Sequence, residues 1–308
     1  MKHRKISRRH AVAAPLAVAA ASALALGVAA AAPSTAATPT ASTNNTVTTA
    51  ATAATALPTV DMARVLAAAQ VEPRCGQRSG LSDNTSTIRV QSALKAKGIA
   101  TTADGWYGNG TTSSYTTWQR KLGYSGIDAN GLPGPTSLTK LGANRFTVAH
   151  KVTAGSTTDS YGGKRVNTRT KNMLQAADNL LPRWNFSLVQ GSYNPGGVGA
   201  SAGTHDGGGV VDISVAGLSE TQRWQQVKAL RTVGFAAWLR TPAQGFSYHI
   251  HAVAIADPDI WQKDGGHVAR DQVCDYYIGK NGLASHSADN TPTSYRMPFT
   301  WWERYKGL

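Results

Sequence analysis

Two short segments of the chain carry side chains that could bind a metal ion. The first, "GTHDGGGVVDIS" at residues 203–214, places His205 and Asp212 seven residues apart with three glycines between them. A tight glycine turn followed by a strand would bring both side chains to one point. The second, "FSYHIHAVAI", predicts a strand in which His249 and His251 face the same side, because side chains alternate along a strand. Together the two segments predict a metal site.

Imidazoles and a carboxylate are ligands that zinc binds in tetrahedral geometry, and a catalytic zinc keeps its fourth position for water. Zinc lowers the pKa of that water toward neutrality and polarises a carbonyl, while a nearby imidazole can transfer the proton. The set therefore predicts zinc-dependent hydrolysis of a peptide bond. Phosphate binding is a poorer interpretation of "GTHDGGG", because the segment has neither the lysine nor the spacing of a P-loop.

The elements that must position these side chains lie in residues 150–308. The segment "NTRTKNMLQAADNLLPRW" has an apolar helical face, and "ETQRWQQVKALRTVGFAAWLR" predicts a helix followed by the start of a strand. Short strands are predicted at "FSLVQGSYN", "VVDISV" and "FSYHIHAVAI". Helices mixed with short strands favour an α+β domain with a small antiparallel sheet.

Residues 74–143 have the periodicity of three short helices, two of which end at Gly98 and Gly123. The apolar face of each helix is formed, in order, by Ile88, Val90, Ala93 and Leu94; by Tyr115, Trp118 and Leu122; and by Leu138 and Leu141. The region therefore predicts a three-helix module, which makes the chain multidomain.

This module resembles the peptidoglycan-binding domain 1 family over nearly all of its length. The resemblance rests on Val90-Gln91, Leu94, Gly98, Asp104-Gly105, Tyr107-Gly108, Thr111, Trp118-Gln119, Gly123, Gly131, Thr136 and Leu141. It implies that bacterial peptidoglycan is a partner of the protein.

The segment "HDGGGVVD" resembles the His, Gly and Asp arrangement of zinc D-Ala-D-Ala carboxypeptidases. The segment "HIH" is similar to the His-x-His element that those enzymes share with lysostaphin-type and penicillin-insensitive murein endopeptidases. The resemblance implies that His205, Asp212 and His251 bind Zn²⁺ and that His249 is the catalytic acid and base.

The chain departs from that pattern at three positions. The Ser-x-His that such enzymes often have is Gly203-Thr204-His205 here, with Ser201 two residues further back. Where such enzymes have an upstream arginine that contacts the substrate, this chain has Asn194, in "GSYN". Tyr248 stands three residues before His251, where some relatives place an acidic base. We therefore expect Asn194 and Gln190 to make the substrate contacts, with Arg183 as the alternative to Gln190, and His249 to be the base.

The first 36 residues have the basic start, apolar run and small-residue end of a cleaved export signal, and Arg8-Arg9 would also suit the twin-arginine route. An uncleaved membrane anchor is the alternative, since the run nearly spans a bilayer, but its alanine-rich composition favours cleavage. Residues 37–73 predict a low-complexity linker and a short helix. We expect a secreted protein, extracellular or associated with the cell wall, with no membrane partner after cleavage.

The formal charge of the chain is +14, of which five positive charges lie in the export signal. A basic exported protein suits an anionic wall polymer, whereas the absence of a dense Lys/Arg cluster with aromatics disfavours nucleic acid. The two cysteines, Cys75 and Cys274, are expected to pair outside the cell. Free thiols and a cysteine metal ligand are weaker alternatives, because neither cysteine has a His or Cys at ligand spacing.

The sequence thus predicts a monomeric secreted zinc peptidase that binds peptidoglycan and cleaves its stem peptides or cross-links. It does not separate a D-Ala-D-Ala carboxypeptidase from an endopeptidase. The alternative is a non-catalytic wall-binding protein whose peptidase-like domain retains the metal.

Overall fold

The computed structural model describes residues 56–181, 185–260 and 269–308, in which eight α-helices and eight β-strands form. The predicted export signal and the first part of the predicted linker lie outside these residues. None of the helices within the described ranges is long and apolar enough to cross a membrane.

The first part of the fold is helical. Strand β1 (Thr59–Asp61) leads into helix α1 (Met62–Cys75), and Asp61 caps that helix by accepting a hydrogen bond from the backbone N–H of Arg64 at 3.2 Å. The three predicted helices follow as α2 (Thr85–Ala96), α3 (Asn109–Lys121) and α4 (Pro135–Leu141). Strand β2 (Thr147–Ala149) pairs in parallel with β1 and closes this part.

Helix α1 differs from the short helix expected within a linker. It is 14 residues long and buried on most sides. Its largest packing contact is with helix α7 (Ala269–Tyr277), about two hundred residues later in the chain. An alanine-rich helix that is apolar on several faces is stable when other helices surround it.

In the second part, pairs of strands are separated by helices. This order agrees with the predicted α+β class with small antiparallel sheets. Its elements are β3 (Asp159–Tyr161), β4 (Lys164–Val166), α5 (Thr168–Asp178), β5 (Leu188–Gln190), β6 (Val210–Ser214), α6 (Glu220–Val233), β7 (Phe235–Arg240), β8 (His249–Ala254), α7 and α8 (Trp302–Tyr305). Strands β3 and β4 form a hairpin. The main sheet has the order β5-β6-β8-β7 and is antiparallel throughout.

The two faces of the main sheet have different surroundings. Ile213, Ile250 and Leu239 belong to a core beneath helices α5 and α6. On the opposite face, Val210 and Val253 join the core of helices α1–α4 and α7. The helices thus cover one end of that face, and the polar residues described below occupy its other end.

Cys75 and Cys274 form a disulfide that joins the end of α1 to α7, with the two Cα atoms 5.5 Å apart, which confirms the predicted pairing. Residues Ala54–Leu308 form one compact unit, and side chains from both predicted domains contribute to one buried cluster. The domain boundary between residues 143 and 150 stays a prediction.

Candidate metal centre

One residue from each strand of the main sheet forms a row across its partly open face. The pairing places Gln190, Asp212, His251 and Trp238 in register across β5, β6, β8 and β7. Two residues further along, on the same face, Ser214, His249 and Arg240 form the next row. The alternation of side chains along β8 therefore presents both histidines to one side of the sheet, as the sequence predicts.

His205 reaches this row from the loop that precedes β6. Its Nδ1 lies 2.9 Å from the carbonyl oxygen of Gly191, which can only accept, so Nδ1 carries the proton. Its Nε2 lies 3.4 Å from Oδ2 of Asp212 and is buried without a hydrogen-bond partner among the described residues. The backbone N–H of Asn194 donates to the carbonyl of His205 at 2.9 Å and fixes the loop.

The glycine turn between His205 and Asp212 is required by its surroundings. Gly209 has a φ of +80°, and a Cβ at that position would lie 2.9 Å from the Cβ of Asp257. A Cβ on Gly208 would lie 2.7 Å from the hydroxyl oxygen of Tyr193. Only glycines allow the chain to turn this tightly against its neighbours and enter β6 with Asp212 beside His205.

The orientation of His251 is fixed from outside the sheet. Its Nε2 lies 2.9 Å from Oε1 of Gln272 in helix α7. Gln272 donates its own amide N–H to the carbonyl of Gly282 at 3.1 Å, which sets Oε1 as the atom that faces the imidazole. His251 therefore carries its proton on Nε2, and its Nδ1 lies 2.8 Å from Oδ1 of Asp212. The ring also stacks on Trp238, with centroids 6.5 Å apart.

These three side chains fit a cation. One ligand atom each from His205, Asp212 and His251 lies within 4.8 Å of the others, and the group can hold a metal ion. In the neutral tautomers fixed by their outer hydrogen bonds, both imidazoles direct a lone pair at the carboxylate. Each lone pair is repelled by the negative carboxylate unless a proton or a metal ion lies between the nitrogen and the oxygen.

The electrostatics of the group keeps Asp212 ionised. Burial would raise the pKa of the Asp212 carboxyl, but the contacts with His205 and His251 more than offset it and hold that pKa well below its ordinary value. Burial lowers the pKa of His251, although Asp212 opposes the shift. The pair is therefore a carboxylate and a neutral imidazole at neutral pH.

His249 lies next to this group, outside the set of three ligand atoms. Its Nδ1 donates to the carbonyl of Ser247 at 2.7 Å, which leaves Nε2 unprotonated in the neutral ring. That Nε2 lies 3.9 Å from Oδ1 of Asp212, and the side chain is 19% exposed. A basic nitrogen with access to water beside a metal group is suited to proton transfer.

The four residues line a cavity of about 300 Å³. Gln190 also lines it; its Oε1 accepts from the hydroxyl of Ser201 at 3.1 Å, and its Nε2 has no hydrogen-bond partner among the described residues. Asn194 instead lines an adjacent groove, together with Gln190 and Asp212. The substrate contact expected of these two residues stays a prediction, and the alternative, Arg183, lies outside the described residues.

Two further cavity residues, Arg240 and Gln272, were missed by sequence reasoning. The sequence predicts that "FAAWLR" begins a strand, which places Arg240 on a strand. Its position beside His249 depends on the order of the strands, which the sequence does not show. Gln272 has no local signal, since it reaches the site only through the docking of α7.

No protein-family model, curated protein or solved structure matches this chain. The family resemblances therefore stay predictions. The geometry itself provides a buried group of three potential metal ligands, a neighbouring imidazole with a free nitrogen, and a small cavity that contains both.

Proposed function

We propose that the protein is a secreted zinc peptidase that hydrolyses peptide bonds in the stem peptides or cross-links of bacterial peptidoglycan. The observation that carries this proposal is the convergence of His205, Asp212 and His251 beside the free Nε2 of His249, within one cavity.

His205 through Nε2, Asp212 through its carboxylate and His251 through Nδ1 would hold the zinc. Two imidazoles and one carboxylate are a ligand set of catalytic zinc sites. When bound there, zinc supplies a water of lowered pKa and polarises the carbonyl of the scissile bond. The outer hydrogen bonds to Gly191 and Gln272 keep each imidazole in the tautomer that such binding requires.

His249 transfers the proton. Its Nε2 accepts a proton from the attacking water, and the resulting imidazolium donates it to the departing amine. The carbonyl of Ser247 stabilises the Nδ1–H in both states and keeps the ring in orientation. No carboxylate precedes His251 by three residues, because Tyr248 is there, so the proton transfer falls to His249.

The choice of peptidoglycan as the substrate rests on the sequence. The region 74–143 resembles a peptidoglycan-binding family, and the mature chain would keep a charge of about +9 after removal of the export signal. A basic protein concentrates at an anionic wall. The non-catalytic alternative draws its support from Asn194, which stands where related peptidases have an arginine.

The test is digestion of purified peptidoglycan by the zinc-loaded protein, with the released fragments identified by mass. We expect released D-alanine or opened cross-links from the wild type and from His150→Ala, a control histidine that bonds Asp61 outside the cavity. Release from neither protein, with zinc bound and the fold intact, would leave the non-catalytic wall-binding function as the better account.

A further inference from the structure

Arg240 places a positive charge in the wall of the cavity. It is the last residue of β7 and pairs in register with His249 on β8. Among the described residues that line the cavity, Arg240 is the one lysine or arginine, and Asp212 is the one acidic residue. Its overall exposure is 2%, so the guanidinium is held by protein rather than by bulk solvent.

The guanidinium is fixed in place by neutral groups. Its two terminal nitrogens donate to the carbonyls of Asn281 and Gly282, at 2.6 and 3.2 Å. The group also lies over the ring of Trp238, 5.2 Å from its centroid. A guanidinium has five N–H donors, and these bonds use two of them.

The described residues provide no contacting carboxylate for this charge. Asp212, Asp275 and Asp289 favour the charged form at longer range. Each of these carboxylates lies against another side chain: Asp212 against His251, Asp275 against His286 and Asp289 against Arg231. Burial lowers the pKa of Arg240 to about 10, so the group remains a cation at neutral pH. A buried cation without a contacting anion is costly, and a fixed cation with spare donors is suited to bind a carboxylate.

The cavity also restricts the size of the ligand. Its volume of about 300 Å³ is at the low end of the range for ligand pockets. Its apolar wall includes the small side chains of Ala200, Ala202 and Ala284, with Leu283 beside them. This space accommodates a short peptide end with methyl side chains.

We propose that Arg240 binds the free C-terminal carboxylate of an alanine-ended peptide, so that the enzyme removes terminal residues rather than cutting within cross-links. This inference rests on the proposed function, since it names the substrate class of the same site. It assigns recognition of the carboxylate to an arginine on β7. The upstream arginine that contacts substrate in the peptidases this chain resembles is Asn194 here.

The inference is tested by binding rather than by turnover. The probes are a synthetic acyl-D-Ala-D-Ala peptide with a free carboxylate and the same peptide as a C-terminal amide. Each is titrated by calorimetry into the zinc-loaded full chain carrying His249→Ala, which slows hydrolysis. We expect the free acid to bind about tenfold or more tightly than the amide, as for a charge-assisted hydrogen bond.

Two variants in the same background sharpen the result. Arg240→Met should abolish the preference for the free acid, while Arg240→Lys should retain part of it, because lysine keeps the charge but not the planar fork. If Arg240→Met fails to fold, Arg240→Lys decides, because a preference contributed by the zinc would be equal in the Arg240 and Lys proteins. Equal binding of acid and amide, or binding of neither, would overturn the inference.

The two proposals fail in different ways. A protein that opens cross-links but binds acid and amide equally retains the proposed function and loses the inference. A protein that prefers the acid but hydrolyses nothing in its wild-type form loses the proposed function and retains a carboxylate-binding site at Arg240.

Discussion

Two buried glutamines of the helical region, Gln91 and Gln119, differ from Gln190 in the cavity in how fully their amides are hydrogen-bonded. In the helical region, Gln91 donates its amide N–H groups to Asp104, Trp106 and Thr111 and accepts from the backbone of Gly105. Gln119 bonds the carbonyl of Leu132 and the N–H of Gly131 in the same way. These side chains fasten loops to helices.

In the cavity, the amide of Gln272 is bonded at both ends, but two other buried nitrogens lack partners. Both Nε2 of Gln190 and Nε2 of His205 are buried without a hydrogen bond among the described residues. An unsatisfied buried polar group costs free energy, and it persists where a ligand completes it. The comparison teaches that burial of a polar residue does not itself indicate function; what distinguishes the cavity is that its unused nitrogens lie beside a group of three potential metal ligands.

Loss of the disulfide should have the largest effect on stability. The disulfide joins α1 of the helical region to α7, the helix that carries Gln272 into the cavity. Cys75 and Cys274 are 199 residues apart, and closing so long a loop stabilises the fold by at most about 5 kcal/mol on the chain-entropy model. Cys75→Ser with Cys274→Ser should lower the midpoint of denaturant unfolding strongly. An unchanged midpoint would mean that packing alone holds α1 against α7.

The second prediction separates the roles of the cavity histidines. His205→Ala, Asp212→Ala and His251→Ala should each lower zinc content, whereas His249→Ala should keep zinc and lose about 100-fold or more of the hydrolysis rate. Metal analysis beside peptidoglycan digestion measures both. If His249→Ala empties the site as fully as His251→Ala, both histidines are ligands and the proposed division of roles is wrong.

Zinc should also stabilise the folded protein, because a ligand that binds only the native state raises the free energy of unfolding. We expect the melting temperature to rise on adding zinc to metal-free wild type and to stay unchanged in His205→Ala. A melting temperature of the wild type that does not respond to zinc would contradict a native zinc site at this group.

Local signals in the sequence account for the parts of the site that were predicted correctly. The alternation along "HIH" and the glycine turn in "HDGGGVVD" each depend on a few neighbouring residues, and these were enough to bring His205, Asp212 and His251 to one group. The three helices of residues 85–141 also follow from local periodicity, with Trp118 and Leu94 buried as expected.

The parts that were missed depend on contacts between distant segments. Arg240 joins the cavity because β7 pairs with β8, and Gln272 joins it because α7 packs on the sheet. The burial of α1 has the same origin. Its alanine-rich sequence differs little from the segment before it, and it is buried because α7 packs against it. Periodicity reports which face of an element is buried but not which neighbour buries it.

The smallest expected effect is the change in stability caused by replacing a glutamine with leucine. It tests the comparison most directly, because the same substitution is made at Gln91 and at Gln190. Gln91→Leu leaves the N–H of Gly105 without its partner and removes one of the two donors to the carbonyl of Trp106, and should cost about 2 kcal/mol or more in the free energy of unfolding. Gln190→Leu removes one bond, from Ser201, together with an amide nitrogen that has no partner, so its cost should stay within about 1 kcal/mol. Urea unfolding with equal m-values measures both. If Gln190→Leu is as destabilising as Gln91→Leu, Gln190 fastens the Ser201 loop as a structural residue, and its unpaired nitrogen is not a contact reserved for substrate.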